Sequence, residues 1–263
     1  MSVPSQDLVF FKNHSLIDDS ILSSRTKSYL STITHTQGTN PSWLVNSLIE
    51  NGIFGTASSV NQDLKKRAKL GKVVLFSFLH DENHYTKGVR KNGVNLLDSN
   101  FEFVDCFSGL FTEKISDPAN ASNDLRNLFN VDIEERSVVI VEAPEVLLYS
   151  TSISSNDLLS MLLKLNKKAS QLFVVVSKDE QLVDYNAHDM LDPAFKITDF
   201  ITKLLFRSHL NITLEPLATG RAKDITGSIV VSKGAIPYDD LIVEEKSYVY
   251  HITKDANVKV FYR

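Results

Sequence analysis

Two histidines four residues apart with a carboxylate between them, His80, Glu82 and His84 in the run HDENH, are the side chains that come nearest to a metal motif in this sequence. A hydrolytic zinc helix needs its glutamate directly after the first histidine, so that both imidazoles and the general base share one helical face. Here the glutamate falls one residue late, the run starts where an apolar stretch ends, and no third ligand follows at a recognisable spacing. The run therefore reads as a polar loop, and no metal site is expected. Phosphate chemistry is the next candidate, in the segment from Thr34 to Trp43. A working phosphate loop needs glycines for close backbone approach, a lysine for the terminal phosphates and a Ser or Thr for magnesium. This segment has one glycine, Gly38, and no lysine, and Pro41 removes an N–H that would have held a phosphate oxygen. It reads as a junction that binds no nucleotide. Cys106, set between Asp105 and Phe107, reads as a small buried hydrophobe. No Ser/His/Asp or Cys/His set stands out, so no catalytic residue and no cofactor is expected.

These residues sit on elements whose pattern is legible. Tyr29, Leu30 and Ile33 lead into the Thr-Gln-Gly-Asn-Pro loop, after which Trp43, Leu44, Val45, Leu48 and Ile49 recur at helical spacing as far as Gly52. Strand, loop and helix in this order frame the anion sites of doubly wound proteins, because a helix N-terminus offers free N–H groups. Lys72–Leu79, Ser137–Val141 and Gln171–Ser177 are continuous apolar runs, the pattern of strands covered on both faces. A shorter strand is expected at Phe101–Val104, and another at Leu8–Phe11. Helices are expected near Leu125–Phe129, over Leu158–Lys168 with Asn156 or Asp157 as cap, and over Ile197–Arg207. From Leu210 the period changes to two, with strands at Leu210–Leu217, Ser228–Ser232, Tyr248–Ile252 and Val258–Tyr262. Covered strands alternating with helices predict an α/β fold with a mostly parallel central sheet and antiparallel C-terminal edge strands. The apolar end of the chain, from Tyr248 to Tyr262, is expected to leave a surface that partners cover.

At 263 residues one domain suffices, and 43% hydrophobic with 23% charged residues is the balance of a globular chain. A formal net charge of −4 argues against a stand-alone nucleic-acid binder. The local basic run Lys65, Lys66, Arg67, Lys69 and Lys72 reads as a solvated face, with nucleic-acid contact as the alternative. A single cysteine allows no internal disulfide and points to a reducing compartment. No secretory leader and no membrane-length apolar run is seen, so a cytoplasmic protein, present also in the nucleus, is expected.

ITHTQGTNPSWLVNSLIENGIFG, FSFLHDENHYTKG, VVIVEAPEVLL, PLATGRAKDITGSIVVSKG and the terminal VKVFYR, in this order, resemble the Elongator complex protein 6 family in its fungal form, from about Asp7 to the last residue. The resemblance implies one RecA-like domain over residues 1–263 that has lost its nucleotide motifs. It also implies a heterohexameric ring with two sister subunits, Elongator proteins 4 and 5, which docks on the catalytic Elongator subcomplex, binds tRNA and supports modification of wobble uridines. ATP hydrolysis would belong to the assembled ring.

Departures from an active RecA-like site agree with that implication. Where the resemblance places a magnesium-binding aspartate the sequence has Glu142, followed by Ala143 and Pro144, and a capping or ring-contact role is expected for it. Asp81 and Glu82 stand where a RecA-like enzyme keeps its catalytic carboxylate. RecA-like rings line their centre with the segments after the fourth and fifth strands, here Leu148–Asn156 and Lys178–Lys196. Ser152, Ser154, Ser155 and Lys178 are thus candidate nucleic-acid or subunit contacts. Arg221 and Lys223, in TGRAKD, are stronger ones, since this region faces the adjacent subunit's nucleotide in RecA-like relatives. Phe261, Tyr262 and Arg263 are assigned to assembly. Two competing readings are an active nucleotide hydrolase built on Thr36, Thr39, Glu82 and Glu142, and a RecA-like DNA-recombination mediator.

Overall fold

In the computed structural model, which describes residues 5–24, 27–61, 71–96, 100–187, 189–220, 222, 224–253 and 257–262, the apolar runs become the middle of a nine-stranded sheet. The strands are β1 (Tyr29–His35), β2 (Lys72–Ser77), β3 (Phe101–Asp105), β4 (Ser137–Glu142), β5 (Gln171–Ser177), β6 (Leu210–Glu215), β7 (Gly227–Lys233), β8 (Lys246–Ile252) and β9 (Val258–Tyr262). Their spatial order is β3-β2-β4-β5-β1-β6-β7-β8-β9. The first six in that order pair in parallel, and β6 to β9 pair antiparallel. The helices are α1 (Asp19–Ser23), α2 (Ser42–Phe54), α3 (Glu82–Arg90), α4 (Ser122–Leu128), α5 (Val146–Ser150), α6 (Ser155–Asn166) and α7 (Pro193–Leu205).

Strand alternation divides the core between the two faces of the sheet. Val73, Leu75, Val138, Ile140, Phe173 and Val175 pack with α2 and α3 on one face. Val74, Phe76, Val139, Val141, Leu172 and Val174 pack with α4 to α7 on the other. A Val, Leu or Phe side chain fully withdrawn from water contributes roughly 1.5–3 kcal/mol, which is why these strands read as unbroken apolar runs. Helix α2 does not stop at Gly52. That residue lies inside the helix, where an added Cβ would stand 2.6 Å from the Val73 side chain, so its lack of a side chain lets α2 press on β2. The stop is Gly55, in the left-handed conformation with φ 71°.

The chain's own beginning covers its apolar end. Leu8–Phe11 makes no strand, only isolated bridges, Gln6 to Val260 and Phe11 to Val243. Yet Leu8, Phe10, Phe11 and Leu16 are buried in the same cluster as Tyr248, Tyr250, Val258 and Val260. The Tyr248 hydroxyl donates to the Val9 carbonyl at 3.3 Å, and Trp43 meets the Tyr250 ring at 5.0 Å. The expected partner-seeking surface is therefore mostly internal. Tyr262, 49% exposed, remains outside. No helix among the described residues is long and apolar enough to cross a membrane.

Candidate functional site

The carboxyl ends of β1, β2, β4, β5 and β6 meet along one edge, where the loop from Thr36 to Pro41 leads into α2. In a phosphate loop the backbone N–H groups point free toward the ligand. Here several are committed. The Gln37 N–H donates to the Asp179 carboxylate. The Thr39 N–H and hydroxyl both donate to the Thr36 carbonyl, at 3.0 and 2.7 Å. The Ser42 N–H donates to Asn40 Oδ1 at 2.8 Å, and Pro41 has none to give. Gly38 at φ 90° turns the chain, the one position in the loop where a glycine is required. Asp179, just past β5, thus places a negative charge against the loop where a phosphate would need a positive one.

Glu142 is 1% exposed at the end of β4. Parallel pairing sets it beside Ser77, the last residue of β2, whose Oγ donates to Glu142 Oε2 at 2.8 Å. The Tyr85 hydroxyl also donates to Oε2, and His80 Nδ1 lies 3.4 Å from it. Tyr85 arrives there because Asp81 caps α3, accepting from the His84 N–H at 3.0 Å and starting the helix just after the strand. Burial pushes the Glu142 carboxyl up, but hydrogen bonds from His80, Tyr85 and Ser77 outweigh it and hold the group below its usual range. Burial likewise raises the Tyr85 hydroxyl, with Glu142 beside it adding to the effect. Glu142 caps none of the neighbouring helices, whose N-caps are Asp81, Glu145 and Ser154. It is the buried acceptor of a knot joining β2, β4 and α3, and it faces no solvent in which a magnesium-bound water would sit.

The His80 and His84 rings stack at 3.8 Å, and His84 Nε2 lies 3.1 Å from the Ser42 hydroxyl at the start of α2. Burial, and the His80 imidazole beside it, keep the His84 ring below its ordinary value. Among the described residues no group of three or more His, Cys, Asp or Glu side chains is placed to hold a metal ion. Cys106 is fully buried, as expected, and burial pushes its thiol up to about 12. Glu145, which sequence reasoning did not single out, is 3% exposed and accepts from the Ser177 N–H at 2.8 Å. Burial pushes its carboxyl up to about 7, against that hydrogen bond.

The serine candidates are engaged within the chain. Ser152 Oγ donates to the Ala119 carbonyl at 2.6 Å, and Ser155 Oγ donates to Asp199. Ser154, rather than Asn156 or Asp157, caps α6, accepting from the Asp157 N–H at 3.1 Å. The spacing Ser154-x-x-Asp157 signals such a cap and would have identified it. Lys178 Nζ pairs with Glu215 at 2.9 Å. Lys72 pairs with Glu102 and Glu134, while Lys65, Lys66, Arg67 and Lys69 lie outside the described residues. Arg221 and Lys223 also lie outside them, in the interval 216–226 that connects the antiparallel pair β6 and β7. Of the terminal residues, Phe261 and Tyr262 belong to β9, and Arg263 is outside the described residues.

Chemically, this edge holds a closed loop, an internal carboxylate knot and no free cation at the position of a phosphate-loop lysine. No family model matches the chain. It is similar to Elongator complex protein 6 of Saccharomyces cerevisiae, 27% identical over 275 aligned residues, which cover 100% of this chain and 99% of that one. The likeness read from the motifs thus extends over the full length. Among solved structures it is similar to the flagellar accessory protein FlaH from Methanocaldococcus jannaschii, with a TM-score of 0.56 and 10% identity over 93% of this chain and 95% of that one. The fold is RecA-like, a mostly parallel sheet closed by antiparallel C-terminal strands.

Proposed function

We propose that this chain is a non-catalytic RecA-like subunit of an Elongator accessory ring, supplying surface to a heterohexamer that binds tRNA for wobble-uridine modification. The observation that carries this reading is the state of the loop before α2. An acid of the chain's own, Asp179, takes the Gln37 N–H, so an incoming phosphate would meet a carboxylate and a loop without lysine. The burial of Glu142 supports the same conclusion from the metal side. Full-length similarity to yeast Elongator complex protein 6 supports the assembly. In this reading the partners are Elongator proteins 4 and 5 in the ring, the catalytic subcomplex beyond it, and tRNA. Arg221, Lys223, Tyr262 and Arg263 are the side chains assigned to subunit or RNA contact.

Co-expression with the two sister proteins, followed by native mass measurement, tests the assembly; a mixed hexamer with two copies of each chain is expected. A chain that stays alone, or that assembles only with itself, overturns the proposal. The competing hydrolase built on Thr36, Thr39, Glu82 and Glu142 predicts ATP turnover by this chain alone that Glu142→Gln abolishes. The non-catalytic reading predicts no turnover for either form.

A further inference from the structure

The end of the sheet opposite the closed loop carries a small polar pocket. Ser28, Arg136 and Ser170 immediately precede β1, β4 and β5, which lie side by side in the parallel part of the sheet, so the amino ends of three strands bring these residues to one place. The pocket has a volume of about 80 Å³. That is far below the roughly 300–1,000 Å³ that hold a drug-sized molecule, so it takes a small group and not a nucleoside. Four cations line it, Lys27, Arg136, Lys167 and Lys168, against one carboxylate, Glu135. Lys27 is answered by Asp239 at 3.0 Å and Asp240 at 3.6 Å. Lys168 Nζ donates to Asn130 Oδ1 and to the Val131 carbonyl, at 3.2 and 3.1 Å, neutral oxygens that fix the ammonium without cancelling its charge. Arg136 and Lys167 make no ion pair among the described residues, unlike Lys72 and Lys178. With Lys27 set aside, three cations face one carboxylate, a surplus of two positive charges. The serines add donors. Ser24 Oγ accepts from the Lys27 N–H at 3.2 Å, which leaves its own O–H to donate. The Ser28 and Ser170 hydroxyls have no partner among the described residues, and Ser170 is only 5% exposed. Arg136 stands at φ 67°, and an added Cβ on Gly71 would lie 2.7 Å from its carbonyl, so this left-handed turn into β4 is held by close packing.

We infer that this pocket binds one phosphate group as a doubly charged tetrahedral oxyanion, gripped by Arg136, Lys167 and the hydroxyls of Ser28 and Ser170. A guanidinium holds two oxygens of such a group at once, and an ammonium with two hydroxyls serves the others. Two surplus positive charges match a phosphate monoester or the free ion near neutral pH better than a singly charged phosphodiester. Cations at the end of α6 also answer its dipole, but that effect calls for neither Arg136, which lies on another segment, nor the serines. The phosphate group has two sources, the free ion or a phosphorylated side chain of a partner protein. The site lies away from the loop before α2. It goes beyond the proposed ring role and stands or falls separately from it.

Full-length protein in chloride buffer of constant ionic strength is titrated calorimetrically with inorganic phosphate, and separately with a short phosphoserine peptide, its unphosphorylated form serving as blank. One saturable site per chain is expected with at least one of the two. Saturation by phosphate, with the peptide no tighter, assigns the free ion, and tighter binding of the phosphopeptide assigns the phosphorylated partner. Arg136→Gln with Lys167→Gln should weaken binding at least tenfold, since two charge-assisted contacts are lost. Lys259→Gln on β9, at the far edge of the sheet, should leave it unchanged. Ser28→Ala with Ser170→Ala keeps every charge and should weaken binding at least threefold, a test that holds even where the charge-neutralised protein fails to fold. Three results overturn the inference: no saturation by either ligand at millimolar concentration, equal binding by the wild type and a folded variant of either pair, or tighter binding of a hexaribonucleotide without terminal phosphate than of both ligands.

Discussion

Replacing Glu145 by glutamine should remove one component of the protein's pH-dependent stability and no other. The side chain is 3% exposed, one oxygen accepts from the Ser177 N–H at 2.8 Å, and the other finds no partner among the described residues. Burial, and to a smaller extent the like charges of Glu142 and Asp179, move its carboxyl from an ordinary 4.5 to about 7. A carboxyl raised by folding stabilises fully below its unfolded value, and this contribution is lost as pH rises through the folded value. The window is thus about pH 4.5 to 7. At about 1.4 kcal/mol per pH unit, the lost contribution amounts to about 3 kcal/mol across that window. Glutamine keeps the oxygen that faces Ser177 and cannot ionise. Its amide N–H₂ meets no acceptor, which costs about 1–3 kcal/mol, although the protonated acid has a similar orphan hydroxyl.

The expected outcome is a variant more stable than the wild type by about 1–2 kcal/mol at pH 8, and equal or slightly weaker at pH 4.5. Urea unfolding at a series of pH values, followed through Trp43, measures it. The difference between the two proteins is the diagnostic quantity. His35, His84 and His209, each lowered mainly by burial, make stability rise with pH up to about 6.5 and so oppose Glu145 in the absolute curve. Glu142, held below 4.5, acts only at lower pH, where its contribution is lost on acidification. A stability difference that stays constant from pH 4.5 to 8 would refute the reasoning, because Glu145 would then not be neutral in the folded state.

Other perturbations follow from the same structure. Tyr85→Phe removes a donor from a buried carboxylate and should destabilise the fold by about 1.5–3 kcal/mol, measured by denaturant midpoint; a change within about 0.5 kcal/mol would show that the knot is not needed. Ser154→Ala removes the cap of α6 and should cost about 1 kcal/mol without altering RNA binding, whereas a selective loss of RNA affinity would restore Ser154 as a contact. Deleting Val258–Arg263 removes β9, including the buried Val258 and Val260, and should abolish cooperative unfolding of the isolated chain; a native-like transition would count against the packing described here. Arg221→Glu with Lys223→Glu should weaken the ring's tRNA affinity or ATP turnover tenfold or more while shifting stability by only about 0.5 kcal/mol, and normal values for both would return the pair to solvent.

Much of this architecture was legible because it depends on local periodicity. The runs KVVLFS, SVVIVE and QLFVVVS are apolar between their polar end residues since both of their faces are covered, and the change to period two at Leu210 marks strands with alternating burial. Helix ends were less legible. Gly52 looks like a stop because glycine favours helix ends, and only the approach of Val73 explains its place inside α2. The C-terminal hydrophobics looked like a partner surface because their cover, Leu8 to Leu16, lies more than two hundred residues earlier and forms no regular element that a pattern would reveal.

The candidate site shows the same division. The defects of the loop before α2 are absences of residue types, and an absence of lysine is visible in any sequence. That Asp179 closes the loop depends on β1 and β5 being parallel neighbours in register, with His35 opposite Ser177, which puts the residues just beyond each strand within reach. The Glu142 knot required three separate placements: Ser77 opposite Glu142 by strand register, α3 started by its Asp81 cap, and Tyr85 turned inward one helical turn later. Two six-residue runs that each end in a polar residue gave a hint of the first. The other two follow from a polar run that looked like a loop and is the beginning of a helix. The carboxylate at the end of β4 thus has Ser77, Tyr85 and His80 gathered on its Oε2, while Oε1 has no partner among the described residues. A buried acid needs donors of this kind to remain ionised.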